Sequence, residues 1–118
     1  MRMGLYAAAA ALFVLAGVPV LAAGAIAVDD ERGQAARDVG YGLGWGSTRD
    51  EAGQEALREC RRAGNENCRV VARFDTCGAY AASRTRYGVG WGRTEADAEE
   101  MALEKCGENC RIDVSDCE

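Results

Sequence analysis

The chain has no histidine, one lysine and one proline among its 118 residues. Without His, a Ser-His-Asp triad, a Cys-His dyad, a His-ligated metal and a His proton shuttle are all excluded. Positive charge is scarce too: 14 Lys and Arg face 19 Asp and Glu, a formal net charge of −5. That balance argues against a nucleic-acid binder, which carries a basic face, and gives no attraction to anionic lipid. Aromatic residues make up only 7% of the chain, so any core is modest. What the chain does carry is unevenly placed. Charge is absent from Leu5 to Val28, and all six Cys lie beyond that stretch.

Arg2 precedes an unbroken apolar run from Leu5 to Ala16, which Gly17, Pro19 and small residues then interrupt. This is the order of a secretory signal peptide rather than of a membrane anchor. No Cys stands near its end and no twin Arg near its start, so the general export route without lipidation is expected. An even set of Cys in a short exported chain reads as three disulfides among Cys60, Cys68, Cys77, Cys106, Cys110 and Cys117. Zinc is disfavoured, because the spacings include no C-x2-C knuckle.

The remainder is a duplication. Tyr41–Cys60 (YGLGWGSTRDEAGQEALREC) and Tyr87–Cys106 (YGVGWGRTEADAEEMALEKC) align without a gap over 20 positions at an offset of 46, with ten identities. Glu66–Val70 matches Glu108–Ile112 downstream, and Gly24–Ala27 matches Gly78–Ala81 upstream. A match this long marks internal repetition. It also bears on export: Gly24–Val28 then belongs to the fold, so cleavage after Ala22 or Ala23 is preferred. Residues 1–23 read as the signal peptide and 24–118 as one domain of two repeats, about 24–76 and 77–118.

Thr48 and Thr94 are helix N-caps, with Glu51 and Asp97 three residues on as capping-box partners. Ala52, Ala56, Leu57 and Cys60 fall on one helical face, and Ala98, Ala102, Leu103 and Cys106 repeat it. Gly107 stops the second helix. Cys68–Phe74 and Cys110–Val114 read as strands. Gly24–Val28 with Tyr41–Trp45, and Gly78–Ala82 with Tyr87–Trp91, read as hairpins. The predicted fold is α+β: two tandem ββαβ units sharing one antiparallel or mixed sheet, both helices packed on it, stapled by disulfides. Tyr41, Trp45, Phe74, Tyr80, Tyr87 and Trp91 would form the core, with Trp45 and Trp91 as equivalent packing anchors. If a pseudo-twofold equates Cys60 with Cys106, Cys68 with Cys110 and Cys77 with Cys117, several symmetric connectivities stay open, and among them Cys60–Cys68, Cys106–Cys110 and Cys77–Cys117 is favoured. The first two would clamp each helix end to the next strand.

The pattern G-A-x-A, Y-G-x-G-W-G, an Ala-rich helix ending in Cys, then C-R-V, all in two copies, resembles exported bacterial proteins of domain of unknown function family 4189. The resemblance spans Gly24 to Cys117 and implies fold and export. The family carries no agreed catalytic residues, so it implies no activity. The charged Asp29–Gly40 connection is long for a hairpin loop and departs from the pattern.

The residues offer little chemistry. A G-x-G-x-x-G starting at Gly42 or Gly88 fails at Ser47 or Arg93, and the acids at the helix starts would repel phosphate. No calcium loop is present. Glu99, Glu100 and Glu104 fall on an exposed helix face, Lys105 is a lone helix-end charge, and Ser47 and Ser83 lack a base. Asp113 and Asp116 are the one acid pair beside a strand end. No catalytic residue, cofactor or metal is therefore assigned. The expectation is a secreted, non-enzymatic module acting on a protein partner, an inhibitor of a secreted enzyme being one form of it. Asp29–Gly40 and Ala63–Asn67 are the contact loops, and homodimerisation through a sheet edge stays open. The alternative is a carboxylate-dependent hydrolase of cell-wall or extracellular glycan. Mass spectrometry of the exported chain is expected to find its N-terminus at Ala23 or Gly24; a start beyond Ala27 would refute this reading.

Overall fold

The computed structural model describes residues 23–30 and 39–118. Residues 1–22 of the predicted leader lie outside them, as does most of the Asp29–Gly40 connection. Strand β1 (Ala23–Asp29) pairs antiparallel with β2 (Gly40–Gly46), and helix α1 (Arg49–Arg62) follows. β3 (Arg69–Phe74) then returns to the other side of β1. β4 (Cys77–Ala82), β5 (Tyr87–Gly92), helix α2 (Glu95–Cys106) and β6 (Arg111–Cys117) come next, with β4 between β5 and β6. β1 takes in Ala23, one residue before the expected domain start.

Both helices begin as their caps dictate. The Thr48 hydroxyl accepts from the Glu51 amide at 3.1 Å, and the Thr94 hydroxyl accepts from the Asp97 amide at 3.1 Å. Glu51 reaches back one residue beyond a standard capping box, taking the amide and hydroxyl of Ser47.

The Gly-rich strands explain where the helices sit. In β2, Gly42, Gly44 and Gly46 share one face, and that face meets α1. A Cβ at Gly42 or Gly44 would run into the backbone of Ala52, Ala56 and Cys60. In β5, a Cβ at Gly88 would stand 2.5 Å from the Ala102 carbonyl oxygen, and Gly90 faces Ala98 and Ala102 in the same way. Helix and strand backbones thus touch directly. Ala25 and Ala27 of β1, and Ala79 and Ala81 of β4, extend each small-residue seam under the helices.

The expected single sheet is two. Their orders are β2-β1-β3 and β5-β4-β6, antiparallel throughout, and each helix covers its own sheet. The physical reason lies in the central strands. β1 and β4 are buried along their whole length, so both faces of each need cover. Helices cover the Ala faces. The opposite faces cover one another: Ile26, Val28, Ala72, Phe74, Tyr80 and Val114 form one cluster between the sheets. The result is four layers, helix–sheet–sheet–helix. The outer strands β3 and β6 are each broken by a register shift, opposite Ile26/Ala27 and Tyr80/Ala81. Val71 and Asp113 are the extra residues there, and such bulges disfavour joining the sheets edge to edge.

Cys60, at the end of α1, bridges to Cys68 before β3; Cys106, at the end of α2, bridges to Cys110 before β6; Cys77 bridges to Cys117. The postulated equivalence of Cys77 and Cys117 does not hold. Cys77 opens β4 and pairs directly with Cys117 on β6, their Cα atoms 4.1 Å apart. The first residue of β1 is Ala23, so nothing corresponds to this bridge in the first sheet. Two bridges are shared in kind by the halves, and the third belongs to the second half alone.

Gly44→Ala and Gly90→Ala are each expected to lower stability by about 1–3 kcal/mol by overpacking. Exposed Arg61→Ala should stay within about 0.5 kcal/mol of the parent. Denaturant midpoints of the oxidised protein check this; equal midpoints for all would refute the seam.

Candidate functional site

The halves meet through polar groups as well as through the inter-sheet core. Asp30, just after β1, accepts two hydrogen bonds from the Arg69 guanidinium on β3, at 2.8 and 3.3 Å. The Tyr80 hydroxyl on β4 donates to the same carboxylate at 2.7 Å. Tyr80 stacks on Tyr87 of β5 with ring centroids 5.9 Å apart, and Arg69 lies 4.9 Å from the Tyr87 ring centre. First-half charges thus clasp second-half aromatics. Burial pushes the Tyr80 hydroxyl well above its usual range, and its bond to Asp30 adds to this. Burial alone would raise the Asp30 carboxyl; the bonds from Arg69 and Tyr80 outweigh it and hold it low.

Asp113 behaves oppositely. At the β6 bulge its carboxyl is desolvated and pushed up to about 7. Its Oδ2 is buried and accepts no hydrogen bond from any described group. Asp116 turns back to accept from the Cys117 amide at 2.9 Å.

A second feature lies at the β3–β4 turn. A groove of about 570 Å³ runs between the start of α1 and the end of β5, over Phe74. Arg49, Arg73, Arg93, Asp75 and Trp91 line it. Arg49 pairs with Asp75 at 3.1 Å, and both side chains are well exposed.

Trp45 and Trp91 are not equivalent anchors. Trp45 packs edge-on against Phe74, ring centroids 5.5 Å apart, with their strands opposing each other across Gly24. Trp91 is 47% exposed. The register explains the difference. Phe74 lies opposite Gly24, whereas the residue opposite Gly78 on β6 is Asp116. The Phe74 ring also occupies the space that a Cβ at Gly78 would take. One ring serves both glycines, and Trp91 is left at the surface with the Lys105 ammonium 4.4 Å from its ring centre. Tyr41 and Tyr87 are also exposed, at 43% and 49%, so Phe74 and Tyr80 are the aromatics that fill the core.

Other predicted positions are structural. Glu99 is half-buried and accepts the Ser115 hydroxyl, which is also within reach of Glu95. The Ala63–Asn67 loop is tied down by the Asn65 amide on the Cys60 carbonyl at 3.0 Å, and by the Asn67 amide on Asp29 at 3.3 Å. It borders a further groove of about 550 Å³ beside β2. Arg49, Arg73 and Arg93 were not among the binding residues expected from the sequence. The contrasts Arg49/Glu95 and Arg93/Ser47 were visible at the repeat offset, but the match of Arg73 with Ser115 needs the strand register.

Among the described residues no helix is long and apolar enough to cross a membrane, and no three acidic or Cys side chains gather as a metal site. The fold and bridges define a disulfide-stabilised α+β domain. Residues 23–117 match the family model described as Domain of unknown function (DUF4189), and the chain belongs to that family. The chain is similar to the NMR structure of Rv1813c from Mycobacterium tuberculosis, with 32% identity and a TM-score of 0.57. That match covers 88% of this chain and 81% of the other. No curated protein matches the sequence.

The raised Asp113 carboxyl sets a pH dependence. Its folded pKa of about 7 exceeds the ordinary 3.8, so the folded state holds a proton that the unfolded chain has released. Its contribution to stability is therefore greatest near pH 4 and is lost as pH rises to about 7. Asp113→Asn is expected to match the parent near pH 4 and to exceed it above pH 7. Thermal melts across pH check this; a parallel pair of curves would refute it.

Proposed function

We propose that the chain is a secreted, disulfide-stapled tandem duplication of a ββαβ unit that works as a non-enzymatic module binding a protein partner in the envelope or outside the cell. The apolar leader and the three bridges support export to an oxidising compartment. The observation that carries the binding role is Trp91. A large aromatic half-exposed in a polar-rimmed groove, on strands fixed by flush helices, has the character of an interface anchor. The contact surface is then this groove rather than the Ala63–Asn67 loop, whose Ala63, Gly64, Asn65 and Asn67 amides are committed to internal bonds.

A second reading has one observation in its favour. Asp113 stays protonated up to about pH 7, as a general acid must, while Asp30 is held ionised. Neither residue lines a described groove, which favours the binding role. Affinity capture with oxidised mature protein, from envelope and extracellular extracts, separates the two. Trp91→Ala is expected to abolish capture, whereas Tyr41→Ala retains it. Glycan turnover that Asp113→Asn removes, with no partner captured, would overturn the binding role.

A further inference from the structure

We propose that the groove between α1 and β5 is a recognition site for a short acidic segment of a partner protein. The segment's carboxylates pair with Arg73 and Arg93, and Trp91 covers an adjoining apolar side chain. This rests on the binding role above and specifies its ligand.

Charge is the first argument. Three guanidiniums and one carboxylate share the groove, in a chain whose formal net charge is −5. The carboxylate, Asp75, is already engaged by Arg49. Among the described residues neither Arg73 nor Arg93 has an ion-pair partner. Glu118, whose amide donates to the Thr76 carbonyl, brings the chain's own terminal acid toward the same turn, yet it pairs with none of the three arginines. Guanidiniums gathered without counter-charge repel one another, and a carboxylate placed among them relieves the repulsion with bidentate hydrogen bonds.

The second argument is an internal control. The repeat offset matches Arg49 with Glu95 and Arg93 with Ser47, and the strand register matches Arg73 with Ser115. In that other corner the Ser115 hydroxyl donates to Glu95 and Glu99. Two corners of like backbone thus carry a basic set and an acidic set. The fold does not require arginine at these positions. Arg73 illustrates this: it lies against Gly53, the match of Glu99, and has no acid there to meet.

The third argument selects a peptide over a long polyanion. Asp50 and Glu51 begin α1, and Glu95 and Asp97 begin α2, so acids flank the basic groove on both sides. A nucleic acid or sulfated glycan running past the groove would meet them. A short segment would not, and a groove of about 570 Å³ suits one.

Fluorescence anisotropy tests this with a labelled Glu-rich octapeptide containing one Leu, and with its Gln-substituted counterpart. The oxidised protein is expected to bind the Glu peptide at least about tenfold more tightly, and salt should weaken that binding. The double variant Arg73→Ser, Arg93→Ser is expected to lose at least about tenfold. Trp91→Ala should weaken both peptides alike. Unchanged melting and three intact bridges would show that the variants remain folded, which is expected because both arginines are exposed. Equal binding of the two peptides, binding unaffected by the double variant, or no binding would overturn the proposal. Tighter binding of a heparin oligosaccharide through the same arginines would overturn it in favour of a polyanion. If no peptide binds while Trp91-dependent capture persists, the acidic ligand is wrong and the binding role survives. If capture fails too, both fall.

Discussion

Each helix rests directly on strand backbone, and the remaining architecture depends on that contact. Gly42, Gly44 and Gly46 on β2, and Gly88, Gly90 and Gly92 on β5, present no side chain to α1 and α2. The helices answer with Ala52, Ala56, Ala98 and Ala102. Small residues on both sides bring backbones close, so dispersion is gathered over many short contacts rather than from a few large side chains. The bridges Cys60–Cys68 and Cys106–Cys110 then hold each helix end to the strand that follows. A domain with few aromatics keeps its shape in this way, and disulfides add roughly 2–4 kcal/mol each to a core that is small for its surface.

Covering one face of each sheet with a helix leaves the other face apolar and open. The two sheets close on each other for that reason. Ile26, Val28, Tyr80 and Val114 form the interior of this closure, while Asp30, Arg69, Tyr80 and Tyr87 clasp one end. Phe74 controls asymmetry: its ring fills the space beside both Gly24 and Gly78. Two symmetric tryptophans therefore reach different fates. Trp45 gains a partner ring, and Trp91 is left facing solvent beside a basic groove. The Cys77–Cys117 bridge ties β4 to β6 beside that groove.

Much of this was legible in order of residues. The N-caps at Thr48 and Thr94, the helical Ala faces and the hairpins all follow from local spacing. Local spacing reports which face of an element is small or apolar, and so it reached each unit. It showed β1 and β4 to be apolar on both faces but could not say what covers the second face, which only the other sheet supplies. The bulges at Val71 and Asp113, which disfavour an edge-to-edge join, exist only as register between strands distant in sequence. The false equivalence of Cys77 and Cys117 has the same origin. Counting Cys in order made them counterparts, whereas pairing places them side by side on one sheet.

The sequence by itself determined the small-residue faces, the helix starts and the supply of six Cys, because these depend on the residues themselves and on neighbours within a turn or a strand. Tertiary structure alone decided which tryptophan is exposed, which acid is desolvated and which arginines gather. The first depends on Phe74 filling the space beside Gly78, the second on burial around Asp113, and the third on Arg49 and Arg73 lining one groove with Arg93. Exposure and charge clustering are properties of packed neighbours, and packed neighbours here are separated by up to half the chain.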